Sequence, residues 1–176
     1  GDLSYLSAVA MARRTQVDSL ATIRAPRQLV AQLQSRGLHV VARLTCFYDE
    51  RLAAARPDLS PRTADGGVWG SGWLDPARAE VQSYLIELAY EVAGLGVDEI
   101  QLDYVRFPTE EGVEAARFAI ADSVAKHRII TGFVRRVRER LGARVMLSAD
   151  IFGVAAWGRA ADVARTGQHL PDLLPL

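Results

Sequence analysis

Two aspartates close two short apolar runs of this sequence: Asp103 in EIQLDYVRF (99–107) and Asp150 in RVMLSADI (144–151). A pair of carboxyl groups can break a glycosidic bond. One protonates the leaving oxygen, and the other attacks the anomeric carbon or activates water. Such a pair needs surroundings that separate the proton affinities of its members. If the runs are strands, their side chains alternate faces with period two. Gln101 and Asp103 then oppose Ile100, Leu102 and Tyr104, while Ser148 and Asp150 oppose Val145, Leu147 and Ala149. A further run, HVVARLTCF (39–47), sets Arg43 and Thr45 against Val40, Ala42 and Leu44. Each run has one apolar face and one face that turns polar toward its C-terminal half.

Arg43 lies on the aspartates' face, where it can hold one of them ionised or bind a sugar hydroxyl. The alternative for Asp103 is a buried salt bridge with Arg43 or Arg106. For Asp150 it is a carboxylate that caps or orders a loop. Trp69, Trp73 and Tyr104 offer flat surfaces that suit the CH faces of sugar rings, with a tryptophan packed under its own loop as the alternative. Other chemistries find less support. His39, His127 and His169 lack metal-ligand spacing, and no G-x-S-x-G nucleophile turn occurs. Cys46 is apolar-flanked and reads as a buried thiol. Asp103 and Asp150 as ligands of a hard cation such as Mg²⁺ are an alternative poor in oxygen ligands. No metal and no cofactor is expected.

The elements that must hold these residues alternate in type. Each strand run is rich in Val, Ile and Leu and has glycine before it. Between them, residues 26–35 place Leu29, Val30 and Leu33 at helical spacing, with Gly37 as a stop. Asp75-Pro76 reads as an N-cap and first helical position. Val81, Leu85, Leu88, Ala89 and Val92 follow on one face until Gly94 and Gly96. A third helical stretch, in one piece or two, spans 113–141 with Ile129, Phe133, Val134 and Val137 as its later stripe. Strand–helix alternation predicts an α/β fold of parallel βα units. A (β/α)₈ TIM barrel accounts for the two-faced strands, with the polar face inward and catalytic groups at C-terminal strand ends. A doubly wound sheet would site them similarly, but its glycine-rich phosphate fingerprint is missing. Residues 49–74, including PDLSPRTADGGVWGSGW, read as one long functional loop. Residues 1–25 show no clear strand, and RRVRER (135–140) reads as a solvated helix surface.

Composition narrows the partners. The 176 residues are 49% hydrophobic and 24% charged, which fits one globular domain. Lys+Arg and Asp+Glu both total 21, so no basic excess favours nucleic acid. No apolar run approaches the roughly 18 residues of a membrane span. The single cysteine excludes an intrachain disulfide. No signal peptide opens the chain, and Gly1-Asp2 is not a natural start. The expectation is a single domain, 1–176, cut from something longer.

DEIQLDYVRFP (98–108) and SADIFG (148–153) resemble a bacterial family known as "putative glycosyl hydrolase domain", a (β/α)₈ barrel. The likeness extends through GDLSYLSAV (1–9), GLHVVARLTCFYDERLAAARPDLSPRTADGGVW (37–69), WLDPARAEV (73–81) and GQHL (167–170). It implies Asp103 as nucleophile or general base with Arg106 beside it, Asp150 as the second carboxylate, and an extracytoplasmic or secreted setting. It also implies barrel strands before Gly1 and after PDLLPL. Three strands then form an incomplete barrel with unpaired edges. The expected function is hydrolysis of a polysaccharide or glycan. Asp103 and Asp150 would flank the scissile bond, with Arg43, Trp73, Tyr104 and Arg106 binding the carbohydrate. The rival is a non-catalytic carbohydrate-binding or scaffolding barrel. A metal-dependent hydrolase would need four or more oxygen ligands near Asp103.

Overall fold

A three-stranded parallel sheet in the order β1 (Val41–Thr45), β2 (Glu99–Asp103), β3 (Met146–Ala149) organises the chain in this computed structural model. Residues 3–120 and 124–176 are described. The start of the family-like segment 1–9, and 121–123 within the predicted third helical stretch, lie outside the described residues. In register, Arg43 pairs with Gln101, Thr45 with Asp103, Gln101 with Ser148 and Leu102 with Ala149. The ladder runs one step past the strands: Cys46 N–H donates to the Asp103 carbonyl at 2.7 Å, and Asp150 N–H to the Leu102 carbonyl at 2.8 Å.

Alternation decides what each face meets. Leu44, Ile100 and Leu102 are buried. They share one core with Val81, Leu85, Leu88 and Ala89 of α4 (Ala79–Gly94) and with Ile130, Phe133, Val134 and Val137 of α5 (Lys126–Leu141). Phe47, just past β1, meets the Phe133 ring at a 5.0 Å centroid distance. Each such side chain removed from water contributes about 1.5–3 kcal/mol before the entropy of ordering it is counted. On the opposite face Arg43, Gln101, Asp103 and Ser148 are not buried. Val41 and Met146 on that face are 45% and 58% exposed, which marks it as open among the described residues.

Smaller elements complete the chain: α1 (Ala10–Thr15), α2 (Pro26–Gln34), α3 (Glu50–Ala55), α6 (Ala160–Thr166) and α7 (Leu170–Leu173). Several differ from the sequence expectations. Residues 1–25 hold α1 and a parallel bridge between Tyr5 and Ile23. The predicted loop 49–74 contains α3, whose N-cap Asp49 accepts the Leu52 N–H at 2.9 Å. The density of Pro and Gly beyond Arg56 hid that short helix. In the third helical stretch, 113–115 forms one 3₁₀ turn and the α-helix begins at Lys126. Cys46 is fully buried, and burial pushes its thiol above the usual range.

Asp75 is not a helix cap. α4 starts at Ala79 with Arg78 at its N-cap, and no side chain caps it. The Asp75 carboxylate, 1% exposed, accepts the Ala77 N–H at 2.9 Å on Oδ1 and the Ala119 N–H at 2.6 Å on Oδ2. It thereby ties the loop after Trp73 to a segment 44 residues away. Burial raises its pKa above 3.8, and the two N–H groups offset only part of that shift. Two outcomes follow. Asp75→Ala lowers unfolding free energy by about 1–3 kcal/mol in denaturant titration, because both N–H groups lose their acceptor. A raised folded-state pKa also favours the protonated form in the fold. The stability difference between wild type and Asp75→Asn is therefore largest below pH 3.8 and shrinks as pH rises through the folded-state value.

Candidate active site

The open face ends at the C-terminal edge of the sheet in a row made by Thr45, Asp103 and Asp150. Parallel strands lie about 4.8 Å apart, so Asp103 and Asp150 leave the backbone as neighbours on one face. Their surroundings differ. Asp103 Oδ2 accepts from Arg43 Nη2 in a single-pronged ion pair, and Oδ1 accepts the Tyr104 N–H at 2.7 Å. Asp150 Oδ1 accepts from Gln101 Nε2 at 2.8 Å. Two rows below Asp103, Glu99 accepts from Ser148 and pairs with His39 at 2.9 Å; these contacts, Ser148 first, hold its pKa below 4.5. Of the two arginines weighed for Asp103, Arg43 makes the pair, and Arg106 turns to Glu110 at 3.3 Å.

Local backbone geometry fixes the end of β2. Tyr104 has φ +50°, in the left-handed region that non-glycine residues adopt at a cost of about 1 kcal/mol or more. The strand therefore breaks off at Asp103, and the period-two rule that grouped Tyr104 with Ile100 and Leu102 stops there. The end of β3 is held by Gln168, 1% exposed. Its Nε2 donates to the carbonyls of Asp150 (3.1 Å) and Val105 (3.3 Å), and its Oε1 accepts the Phe152 N–H at 3.0 Å.

Rings gather at this edge around one cation. The Arg106 guanidinium carbon lies 4.3 Å from the Phe152 ring centroid, 4.9 Å from Trp73 and 5.7 Å from Tyr104. Tyr48 stacks on Tyr104 at 5.0 Å and 24°, with Trp73 edge-on to both. An antiparallel bridge between Tyr48 and Trp73 sets this contact. Gly72 (φ +78°) permits it, since a Cβ there would come within 2.9 Å of the Tyr48 ring. The Tyr48 hydroxyl donates to Glu50, and that bond, more than burial, pushes its pKa up to about 12.

These positions revise part of the sequence reading. Trp73, expected to bind carbohydrate, is 3% exposed and has Arg106 against its ring, so it supports Tyr48 and Tyr104 from below. Trp69 is buried and donates to the Gly112 carbonyl at 2.9 Å, in a loop 43 residues further along the chain. Tyr48, Phe152, Gln168 and the Gln101–Asp150 bond were not singled out. A legible signal existed for the first two: an aromatic residue lies one to three positions past each strand, at Tyr48, Tyr104 and Phe152. Among the described residues no cluster of three or more His, Cys, Asp and Glu is placed to hold a metal ion, and no helix is long and apolar enough to cross a membrane.

The model of the family described as "Putative glycosyl hydrolase domain" matches residues 1–175. A search of curated proteins found no match. Among solved structures, the chain is similar to a hypothetical protein from Ruminiclostridium thermocellum ATCC 27405, with 34% identity, TM-score 0.75, and 88% of this chain and 79% of that one covered. It is similar in fold to TtGalA, an alpha-galactosidase from Thermus thermophilus solved with stachyose, at 23% identity and TM-score 0.51, covering 70% of this chain and 27% of that one. It is likewise similar in fold to the glycoside hydrolase domain of PelA from Pseudomonas aeruginosa, at 15% identity and TM-score 0.52, covering 85% and 58%. The chain thus spans only part of either enzyme chain.

Arg106 should dominate the stability of this edge. Arg106→Ala removes three ring contacts and the bonds to the Phe107 carbonyl, Thr109 and Glu110. It lowers unfolding free energy by about 2–4 kcal/mol in chemical denaturation. Arg106→Lys recovers less than half of that loss, because a point ammonium lacks the planar fork.

Proposed function

We propose, for a chain that belongs to the family described as "Putative glycosyl hydrolase domain", that the C-terminal edge of the sheet is a glycoside hydrolase active site with Asp103 and Asp150 as its carboxyl pair. The observation that carries this reading is their adjacent placement on one open face, each with a donor of its own. Asp103 faces the Arg43 guanidinium and the Tyr104 N–H, a setting that suits a nucleophile or general base. Asp150, on a neutral amide, suits the acid. Asp150 gives its proton to the glycosidic oxygen as the C–O bond breaks with its electron pair on that oxygen. Water then delivers hydroxyl to the anomeric carbon, and its proton returns to the carboxylate pair. Tyr48 and Tyr104 supply the aromatic platform for a sugar ring, and Arg106 holds that platform in place.

The three βα units are read as part of a (β/α)₈ barrel in a single domain. Two features support this. The outer edges of β1 and β3 have no strand partner among the described residues, and the exposed Val41 and Met146 lie on the face that a barrel turns inward. Further strands would then cover the open face and complete the cleft.

One observation favours a second reading, a carbohydrate-binding barrel without catalysis: both Asp103 oxygens are already engaged. Hydrolysis separates the two. Incubation with a panel of soluble polysaccharides, followed by reducing-end release, should detect cleavage that falls by about 100-fold or more in Asp103→Asn. A folded Asp103→Asn protein that cleaves at the full rate excludes Asp103 from catalysis. Binding of a polysaccharide without cleavage by the wild type selects the second reading.

A further inference from the structure

We infer that the loop after β3 carries a second carbohydrate subsite, where Trp157 stacks on a sugar ring and Arg159 binds that sugar's carboxylate. The inference rests on the hydrolase reading of the neighbouring strand ends, and it names the substrate class as a glycan that contains acidic, uronic-type sugars. Trp157 is 74% exposed, whereas Trp69 and Trp73 are buried. So large a ring is seldom left in water. The chain that presents it is nevertheless held in place. The Phe152 N–H donates to Gln168 Oε1 at 3.0 Å, the Ala155 N–H to the Phe152 carbonyl at 2.8 Å, and the Gly158 N–H to the Ala155 carbonyl at 3.1 Å. Ala155 is buried within the 3₁₀ segment Gly153–Trp157, while Phe152, Val154 and Trp157 stay exposed as an apolar strip.

Continuity with the strand ends says what such a strip meets. Phe152 lies two residues beyond Asp150, and its ring shares the Arg106 guanidinium with Tyr104. At about 2 Å per residue, the 3₁₀ segment carries the chain roughly 10 Å from Phe152 to Trp157. An extended glycan seated at the carboxyl pair therefore reaches this ring with its next units. Charge then names the sugar. The Arg159 guanidinium carbon lies 6.0 Å from the Trp157 ring centroid. Among the described residues no carboxylate pairs with Arg159, Asp162 three residues on included. The other arginines near this edge are occupied: Arg43 by Asp103, Arg106 by Glu110, and Arg165 by the Thr109 carbonyl. An indole face suits the CH surface of a sugar, and a free guanidinium fork beside it suits a carboxylate on that sugar.

The test reads Trp157 itself. The ¹⁵N-labelled protein is titrated with hexasaccharides of galacturonate, mannuronate and hyaluronan, and with each of these after its carboxyl groups are reduced to alcohols. The Trp157 indole N–H signal, assigned by its loss in Trp157→Ala, is followed by NMR. It should shift saturably with at least one acidic hexasaccharide, and the reduced counterpart should bind about tenfold or more weakly. Followed by amide shifts, Trp157→Ala should weaken binding by about tenfold or more, and Arg159→Gln should remove most of the preference for the acidic form. Both side chains are exposed, so neither variant disturbs the core. A Trp157 signal that stays in place with all three acidic sugars, or that moves equally with the reduced forms, overturns the inference. So does a signal that moves with protein concentration alone, which assigns the ring to contact between copies. Shifts at the Tyr104 and Asp150 amides without Trp157 would remove this subsite and leave the hydrolase reading standing. A Trp157 shift without them would support the subsite and count against that reading.

Discussion

A guanidinium that is only 8% exposed must find partners for its charge and its donors inside the fold, and Arg106 finds them in three places at once. Its Nη1 takes the Phe107 carbonyl at 2.9 Å and its Nη2 faces Glu110, while its plane lies against Trp73, Tyr104 and Phe152. Those rings come from the loop that follows α3, the end of β2 and the end of β3. One desolvated cation thus fastens the segments that carry the site. Tyr104 meets both Arg106 and Tyr48 through its ring, takes a left-handed backbone, and donates its N–H to Asp103 Oδ1. Phe152 lies two residues beyond Asp150, where Gln168 holds the main chain.

This arrangement separates support from chemistry. The apolar face of the sheet and the inner faces of α4 and α5 supply the burial. On the opposite face Arg43, Gln101 and Ser148 each bond a carboxylate on a neighbouring strand. The two aspartates differ by what reaches them from the strand before, a cation in one case and an amide in the other.

The parts of this account legible in the sequence are those fixed by local periodicity. The two-faced strands could be read because an apolar face three strands wide has to be covered, and Ile100 and Leu102 admit no other register. The resemblance of DYVRFP and SADIFG pointed to the same two strand ends. Long-range partners decided the rest. Asp75-Pro76 has the local signature of a helix start, yet the Ala119 N–H claims the carboxylate and the helix waits until Ala79. Trp73 reads as a surface platform by residue type alone, but Arg106 buries it. Nothing near Arg106 in sequence announces that it prefers three rings and Glu110 to Asp103.

The central claim is that carbohydrate meets this protein at the C-terminal edge of the sheet. The most direct measurement is a titration of the ¹⁵N-labelled protein with soluble oligosaccharides of neutral and amino sugars, followed by amide chemical shifts. The account predicts saturable shifts clustered at Tyr48, Asp103, Tyr104 and Asp150, with the N-terminal strand ends near His39 and Met146 unmoved. Shifts confined to those N-terminal ends or to the outer helices, or none with any sugar, would contradict it.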